Sequence, residues 1–250
     1  MLRALIFDVD GTLAETEDLH RQAFNGAFAD LGLPWSWSPA RYADLLTVMG
    51  GKERLRHYVE TENADAVETL RPRMGEIHDR KTRRYGDLVE GGSLGLRPGV
   101  GRLIAEARAA GLKLAVASTT SRPNVDTLLR INFPAGDIPF DVIACGDEAP
   151  RKKPAPDVFE LALARLDVPA AEAVAFEDSA AGIRSALDAG LPVIATRSRY
   201  TESHRLDGAF SAVSDLGEPG APHRHLSGYA WPDGVVTVGA LRDWHAQVTG

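Results

Sequence analysis

Two aspartates set one residue apart, Asp8 and Asp10, follow the apolar run Leu5-Ile6-Phe7 and precede Gly11-Thr12. The run reads as a buried parallel strand, so the turn after it lifts both acids to the carboxyl end of a sheet, the edge at which open α/β sheets bind ligands. A turn starting at Val9 can aim both carboxylates at one centre. Like charges that close need a cation or a shared proton to coexist, and a hard divalent metal is implied. Gly11 lets the backbone turn sharply, while Thr12 adds a hydroxyl that can lock the loop.

Three further strand ends carry suggestive polar residues. Leu114-Ala115-Val116-Ala117 runs into Ser118-Thr119-Thr120, a hydroxyl with backbone N–H groups leading into a helix, which suits a phosphoryl oxygen. Lys153, within Arg151-Lys152-Lys153-Pro154, lies just before a helix start and offers a point charge to the same anion. Ala175-Phe176 ends in Glu177-Asp178-Ser179, a second pair of acids with oxygen ligands of the kind Mg²⁺ prefers. Singly, these are also what helix caps, a solvated loop lysine and an acidic helix start look like. Together, an acid pair, a hydroxyl, a lysine and a second acid pair are the inventory for metal-assisted phosphoryl transfer through an aspartyl phosphate.

The elements that must position them fall into two patterns. From about Thr16 to Tyr85 the chain reads as helices. Thr16 is placed to cap the first of them, with Glu17 and Asp18 in its first turn and Phe24, Ala27, Phe28 and Leu31 at helical spacing. Shorter segments follow around Tyr42 to Leu46 and from Lys52 to about Glu60, then a longer helix from about Ala64 to Tyr85. After Arg97-Pro98-Gly99, helices expected at Val100–Ala110, Asn124–Ile131, Asp157–Leu166 and Gly182–Ala189 alternate with strands at Leu112–Ala117, Phe140–Ala144, Ala173–Phe176 and Pro192–Ala195. That alternation predicts an α/β fold with a parallel sheet covered on both faces, interrupted by a helical insert. The segment from Gly217 on is rich in Gly, Pro and His before a short helix at Ala240–Ala246, and no chemistry is assigned to it.

Composition removes several classes. The net charge of −7 argues against nucleic acid as a general partner, because phosphate polyanions need a basic footprint. No apolar run reaches the roughly 18 residues of a membrane span, and Asp8 comes too early for a signal peptide, so a cytoplasmic protein without a membrane partner is expected. Cys145 is the only cysteine, which excludes an internal disulfide and a thiolate metal cluster; with no adjacent base it reads as a buried structural thiol.

The four motifs, in this order and spacing, resemble the haloacid dehalogenase superfamily of phosphatases, over nearly the whole chain up to about Leu216. The resemblance implies a doubly wound, Rossmann-like core of residues 1–15 and 90–250 with a helical cap, residues 16–89, inserted after the first strand. It implies Asp8 as nucleophile and Asp10 as general acid and base, with Ser118, Thr119 and Lys153 on the transferring phosphoryl group. Mg²⁺ would be held by Asp8, the backbone carbonyl of Asp10 and Asp178, with Glu177 beside them. In the cap, Glu17 and His20 lie three residues apart on one helix face, Gly51 and Lys52 open a helix suited to a second anion, and Lys81 and Arg84 add cations near the hinge. These segments resemble the CbbY-type phosphatases, which remove xylulose-1,5-bisphosphate, an inhibitor of rubisco. All six cap residues would then contact a phosphorylated sugar, in a monomer or weak dimer. The alternatives are a β-phosphoglucomutase-like phosphotransferase and, from another class, a receiver-like phosphate-sensing module. A phosphonate-cleaving relative is disfavoured, since it would have no alcohol leaving group for Asp10 to protonate.

Overall fold

Four fully buried residues, Ala4–Phe7, form β1 at the centre of a seven-stranded sheet. The computed structural model describes residues 1–92, 94–133 and 136–249. After β1 come helices α1 (Glu17–Asp30), α2 (Pro39–Leu45), α3 (Gly51–Glu62), α4 (Val67–Leu70) and α5 (Met74–Gly91). The alternating part follows as α6 (Val100–Ala109), β2 (Lys113–Ala117), α7 (Arg122–Asn132), β3 (Val142–Ala144), α8 (Asp157–Leu166), β4 (Ala173–Glu177), α9 (Ala180–Asp188) and β5 (Val193–Thr196). Two short strands, β6 (Ser211–Val213) and β7 (His225–Gly228), and α10 (Val238–Thr249) complete the described chain.

The strand order is β3-β2-β1-β4-β5-β6-β7, parallel except for the antiparallel β6–β7 pair. β1 pairs with β2 on one side and β4 on the other, Leu5 lying opposite both Leu114 and Val174. The chain thus winds outward from β1 in one direction and resumes at β4 in the other. The crevice at the carboxyl ends of β1 and β4 is the switch point at which such sheets bind ligands.

Side-chain alternation divides the strands between two cores. Leu5, Phe7, Leu114, Val116, Val174 and Phe176 face α6, α7 and α10, with Phe7 stacked on Phe176 at 4.4 Å. Ala4, Ala115, Ala117, Ala173 and Ala175 face the other way, and these small side chains let α8 and α9 pack close to the sheet. The helices between β1 and β2 have their own core, where Trp37 packs between Phe24 and Phe28 at ring distances of 4.7 and 4.9 Å.

The structure departs from the sequence pattern in three places. The helix expected from Ala64 to Tyr85 is broken into a 3₁₀ turn at Ala64–Ala66, α4, a second 3₁₀ turn at Arg71–Arg73, and α5, which runs on to Gly91. Pro72 lies at the break, where it lacks an N–H and its ring blocks an α-helical path. Thr16 does not cap α1 with its side chain; its hydroxyl is used at the active-site cleft instead. Beyond Leu206 the sheet gains β6 and β7, and the C-terminal helix is longer than expected. Trp231 there donates from its indole N–H to Ser211 Oγ at 2.8 Å and Trp244 stacks on Phe210 at 3.6 Å, so the segment covers one sheet face.

Candidate active site

At the end of β1 the chain wraps tightly around one carbonyl. The amides of Thr12, Leu13 and Ala14 all donate to Val9 O, at 3.2, 2.9 and 3.3 Å, and Gly11 N donates to Ala14 O at 2.8 Å. Gly11 has φ +79°, and a Cβ there would stand 2.1 Å from Asp178 Oδ2, so glycine is required on both counts. Backbone groups lock this loop. The Thr12 hydroxyl, expected to do so, is buried with no hydrogen-bond partner among the described residues, and Arg97 reaches in to donate to Gly11 O.

Both aspartates line one cavity, but they take different partners, and the Asp10 carboxylate is not part of the acid cluster that Asp8 joins. Asp8 faces the sheet edge. Lys153, only 3% exposed, lies between Asp8 Oδ1 and Glu177 Oε1, 2.6 Å from each, and donates also to Ala117 O at 3.0 Å. Burial alone would lower the lysine pKa, but the two carboxylates hold it above its usual value. Glu177 is fixed through its other oxygen, which accepts from Asp178 N at 3.1 Å and Ser179 Oγ at 3.2 Å. Gly182 makes room for it, since a Cβ there would sit 2.0 Å from the Glu177 carboxyl.

Asp8, Glu177 and Asp178 are all buried, with one oxygen of each within 4.8 Å of the others. With all three carboxylates ionised, the one ammonium would leave two negative charges uncompensated, the complement of one divalent cation. Burial, reinforced by the neighbouring acids against the pull of Lys153, pushes Asp8 up to about 8; burial and the adjacent carboxylates likewise push Asp178 well above the usual range. An all-oxygen donor set short of positive charge fits a hard ion such as Mg²⁺.

Asp10 turns to the helical side. Its Oδ1 accepts from the Thr16 hydroxyl at 2.5 Å and lies 3.0 Å from His20 Nε2, while His20 Nδ1 lies 2.8 Å from Lys81 Nζ. A lysine can only donate, so Nδ1 accepts, and the imidazole proton sits on Nε2, directed at Asp10. Burial and the charge of Lys81 hold His20 below its usual pKa, which agrees with a neutral ring. Burial would raise Asp10, yet His20, Thr16 and Lys81 together hold it below the ordinary carboxylate range. Lys81 itself, buried over the rings of Phe24 and Tyr85, is pushed down to about 8.

The cavity above these groups is lined from the sheet side by Asp8, Asp10, Thr119, Asp178 and Thr201, and from the helical side by Glu17, His20, Gly50, Gly51, Arg54 and Lys81. Ser118 lies just beneath, its Oγ accepting from Thr120 N at 3.1 Å. Lys52 is not in this cavity. Half-exposed and 3.5 Å from Asp147, it lines an adjoining recess with Gly51, Lys81, Thr119 and Thr120. Arg84 is not brought to the cavity either: it lies along α1, where Gly26 leaves space, and donates from Nε to Asp30 at 2.6 Å. Sequence reasoning passed over Arg54, buried and donating to Tyr42 Oη at 2.9 Å, and Tyr42, which donates to Glu17 at 2.8 Å.

The sequence profile described as haloacid dehalogenase-like hydrolase matches residues 2–190. The chain belongs to this family. Among its relatives, Protein CbbY of Rhodobacter capsulatus is 50% identical over 217 residues, 86% of this chain and 94% of that protein. A crystallised variant of CbbY from Rhodobacter sphaeroides, in complex with xylulose-1,5-bisphosphate, is 45% identical with a TM-score of 0.79, covering 86% of this chain and 95% of that one. A β-phosphoglucomutase from Clostridium difficile, 20% identical, shares the fold with a TM-score of 0.75 over 99% of both chains. This haloacid dehalogenase-like phosphatase is thus similar to CbbY over most of its length and is built on a mostly parallel sheet with an inserted helical layer.

Proposed function

We propose that this hydrolase is a Mg²⁺-dependent sugar-phosphate phosphatase that works through a phosphorylated Asp8 and has xylulose-1,5-bisphosphate as its substrate. The observation that carries the reading is the acid cluster with its single lysine at the floor of a cavity whose roof bears Arg54 and Lys81. The floor suits a transferring phosphoryl group, and the roof suits the rest of an anionic sugar. The relative solved with xylulose-1,5-bisphosphate supports this choice of substrate.

Asp8, Asp178 and the backbone carbonyl of Asp10 would hold the metal, with Glu177 beside them. When bound, it neutralises charge on the phosphoryl oxygens and keeps Asp8 ionised despite its burial. Asp8 then attacks phosphorus and the bond to the sugar oxygen breaks. Lys153, Thr119 and the backbone around Ser118 receive the phosphoryl oxygens. Asp10 protonates the departing sugar oxygen and takes the proton back from the water that hydrolyses the aspartyl phosphate. At rest Asp10 is ionised, ready for the second step; a bound phosphate dianion raises its proton affinity for the first. His20, held by Lys81, keeps its carboxylate aimed at the reacting oxygen.

A second phosphate would meet the N-terminus of α3. Gly50 there has φ +90°, and the Glu53 carboxylate stands beside it where a Cβ would be; an anion displacing Glu53 would meet the amides of Gly51 and Lys52, with Arg54 and Lys81 behind them. Cleavage of this substrate would remove an inhibitor of rubisco, and the site of action would be the cytoplasm. No helix among the described residues is long and apolar enough to cross a membrane.

The test is a phosphate-release screen over pentulose bisphosphates, pentulose monophosphates and β-glucose 1-phosphate, with and without Mg²⁺, and with the sugar products identified. Metal-dependent release of one phosphate from xylulose-1,5-bisphosphate, faster than from any monophosphate, is expected. Conversion of β-glucose 1-phosphate to glucose 6-phosphate without phosphate release would replace this reading with a mutase.

A further inference from the structure

Asp178 is held from outside the acid cluster by a loop that none of the four motifs includes. Ser198, two residues past the end of β5, donates from Oγ to Asp178 Oδ2 at 2.6 Å. Thr201 Oγ1 lies 2.9 Å from Ser198 Oγ and accepts from Ser198 N at 3.0 Å. Thr201 Oγ1 also lies 3.4 Å from Asp178 Oδ2, so its proton can go to the carboxylate directly or to Ser198 Oγ. By either route the two hydroxyls supply donors to one oxygen of Asp178 and favour the ionised carboxylate. Both residues are buried, at 3% and 5% exposure. On another side of the same oxygen stands Gly11, whose missing side chain leaves just enough room.

Two hydroxyls on Oδ2, with Gly11 close behind it, leave that oxygen less available to a cation than Oδ1. A carboxylate held in this way would favour binding through one oxygen. That matters for ion choice: Mg²⁺ requires near-ideal octahedral geometry with single-oxygen ligands, whereas Ca²⁺ readily takes both oxygens of a carboxylate in a larger, looser shell. We propose that Ser198 and Thr201 are positioning residues that hold Asp178 as a one-oxygen ligand and thereby set both the affinity of the site for Mg²⁺ and its preference over Ca²⁺. The inference rests on the metal reading of the acid cluster given above.

The experiment is calorimetric titration of Mg²⁺ and of Ca²⁺ into substrate-free protein, for wild type, Ser198→Ala, Thr201→Val and Thr201→Ser, with thermal melts in chelator as a check on folding. Losing an outer-shell partner typically weakens metal binding by about 10- to 100-fold, and that loss is expected for Mg²⁺ in Ser198→Ala. Ca²⁺, able to recruit the freed oxygen, should change by less than about threefold, so the Mg²⁺ preference falls at least severalfold. Thr201→Val should move in the same direction by a smaller factor, and Thr201→Ser, which keeps the hydroxyl, should match wild type. Mg²⁺ affinity within about twofold of wild type in Ser198→Ala, or equal losses for both ions in a variant that melts normally, would overturn the inference alone. A wild type that binds neither ion would overturn the metal reading and this inference with it.

Discussion

Lys81 is the residue whose role the structure redefines most, and replacing it by methionine separates the two roles open to it. Methionine keeps an unbranched apolar chain over the rings of Phe24 and Tyr85 while removing the charge and the donor 2.8 Å from His20 Nδ1. With nothing donating to it, Nδ1 becomes an unpaired buried acceptor, at a cost of about 1 to 3 kcal/mol. The ring can relieve this by moving its proton to Nδ1, which would turn a lone pair toward Asp10 Oδ1 and break the 3.0 Å contact. Either way the energy that fixes Asp10 is lost, and at about 1.36 kcal/mol per decade kcat should fall by roughly 10- to 100-fold. Steady-state kinetics on xylulose-1,5-bisphosphate would show KM changed by less than about threefold if positioning is the main role. An unchanged kcat with KM raised tenfold or more would refute it and make Lys81 a direct substrate contact.

Asp10→Asn should lower kcat by about 10²- to 10⁴-fold, since the amide can still accept from Thr16 and His20 but cannot carry the proton, while calorimetry should show substrate binding retained. Lys52→Ala should leave kcat/KM for the bisphosphate within about threefold, because its half-exposed ammonium lies outside the cavity and beside Asp147. A loss of tenfold or more on the bisphosphate, with a matched monophosphate spared, would show that Lys52 does reach the second phosphate. Arg84→Ala should leave kcat/KM within about threefold and barely move the midpoint of a denaturant titration, because its ion pair with Asp30 is solvent-exposed.

What the sequence disclosed follows from where pattern reflects burial. β1, β2, β4 and β5 are buried almost throughout, so each is a near-continuous apolar run, and α8 lies at Asp157–Leu166 as its periodicity indicates. β7 is largely exposed and carries His225, Ser227 and Gly228, so no strand pattern marks it; its place comes from pairing with β6. The chemistry-bearing residues could be named because they sit directly at strand ends, but their directions could not. Asp8 is paired with Lys153 and Asp10 with Thr16 and His20, and those pairings depend on packing across the cleft. Arg54 has the look of a solvated helix charge; it is buried only because α2 brings Tyr42 and the Leu45 carbonyl to meet it. Ser198 and Thr201 carry no pattern at all, since their significance is a distance of 2.6 Å to a residue twenty positions earlier.

The most direct test of the account is where the phosphoryl group goes in the first turnover. Enzyme in excess over substrate labelled at the scissile phosphate, mixed with Mg²⁺, quenched in acid within the first turnover and digested, should carry the label on the peptide that contains Asp8. The label should be absent from Asp8→Ala, and from wild type quenched out of chelator. Phosphate release at the full wild-type rate from Asp8→Ala, or label on any other residue, would contradict the account.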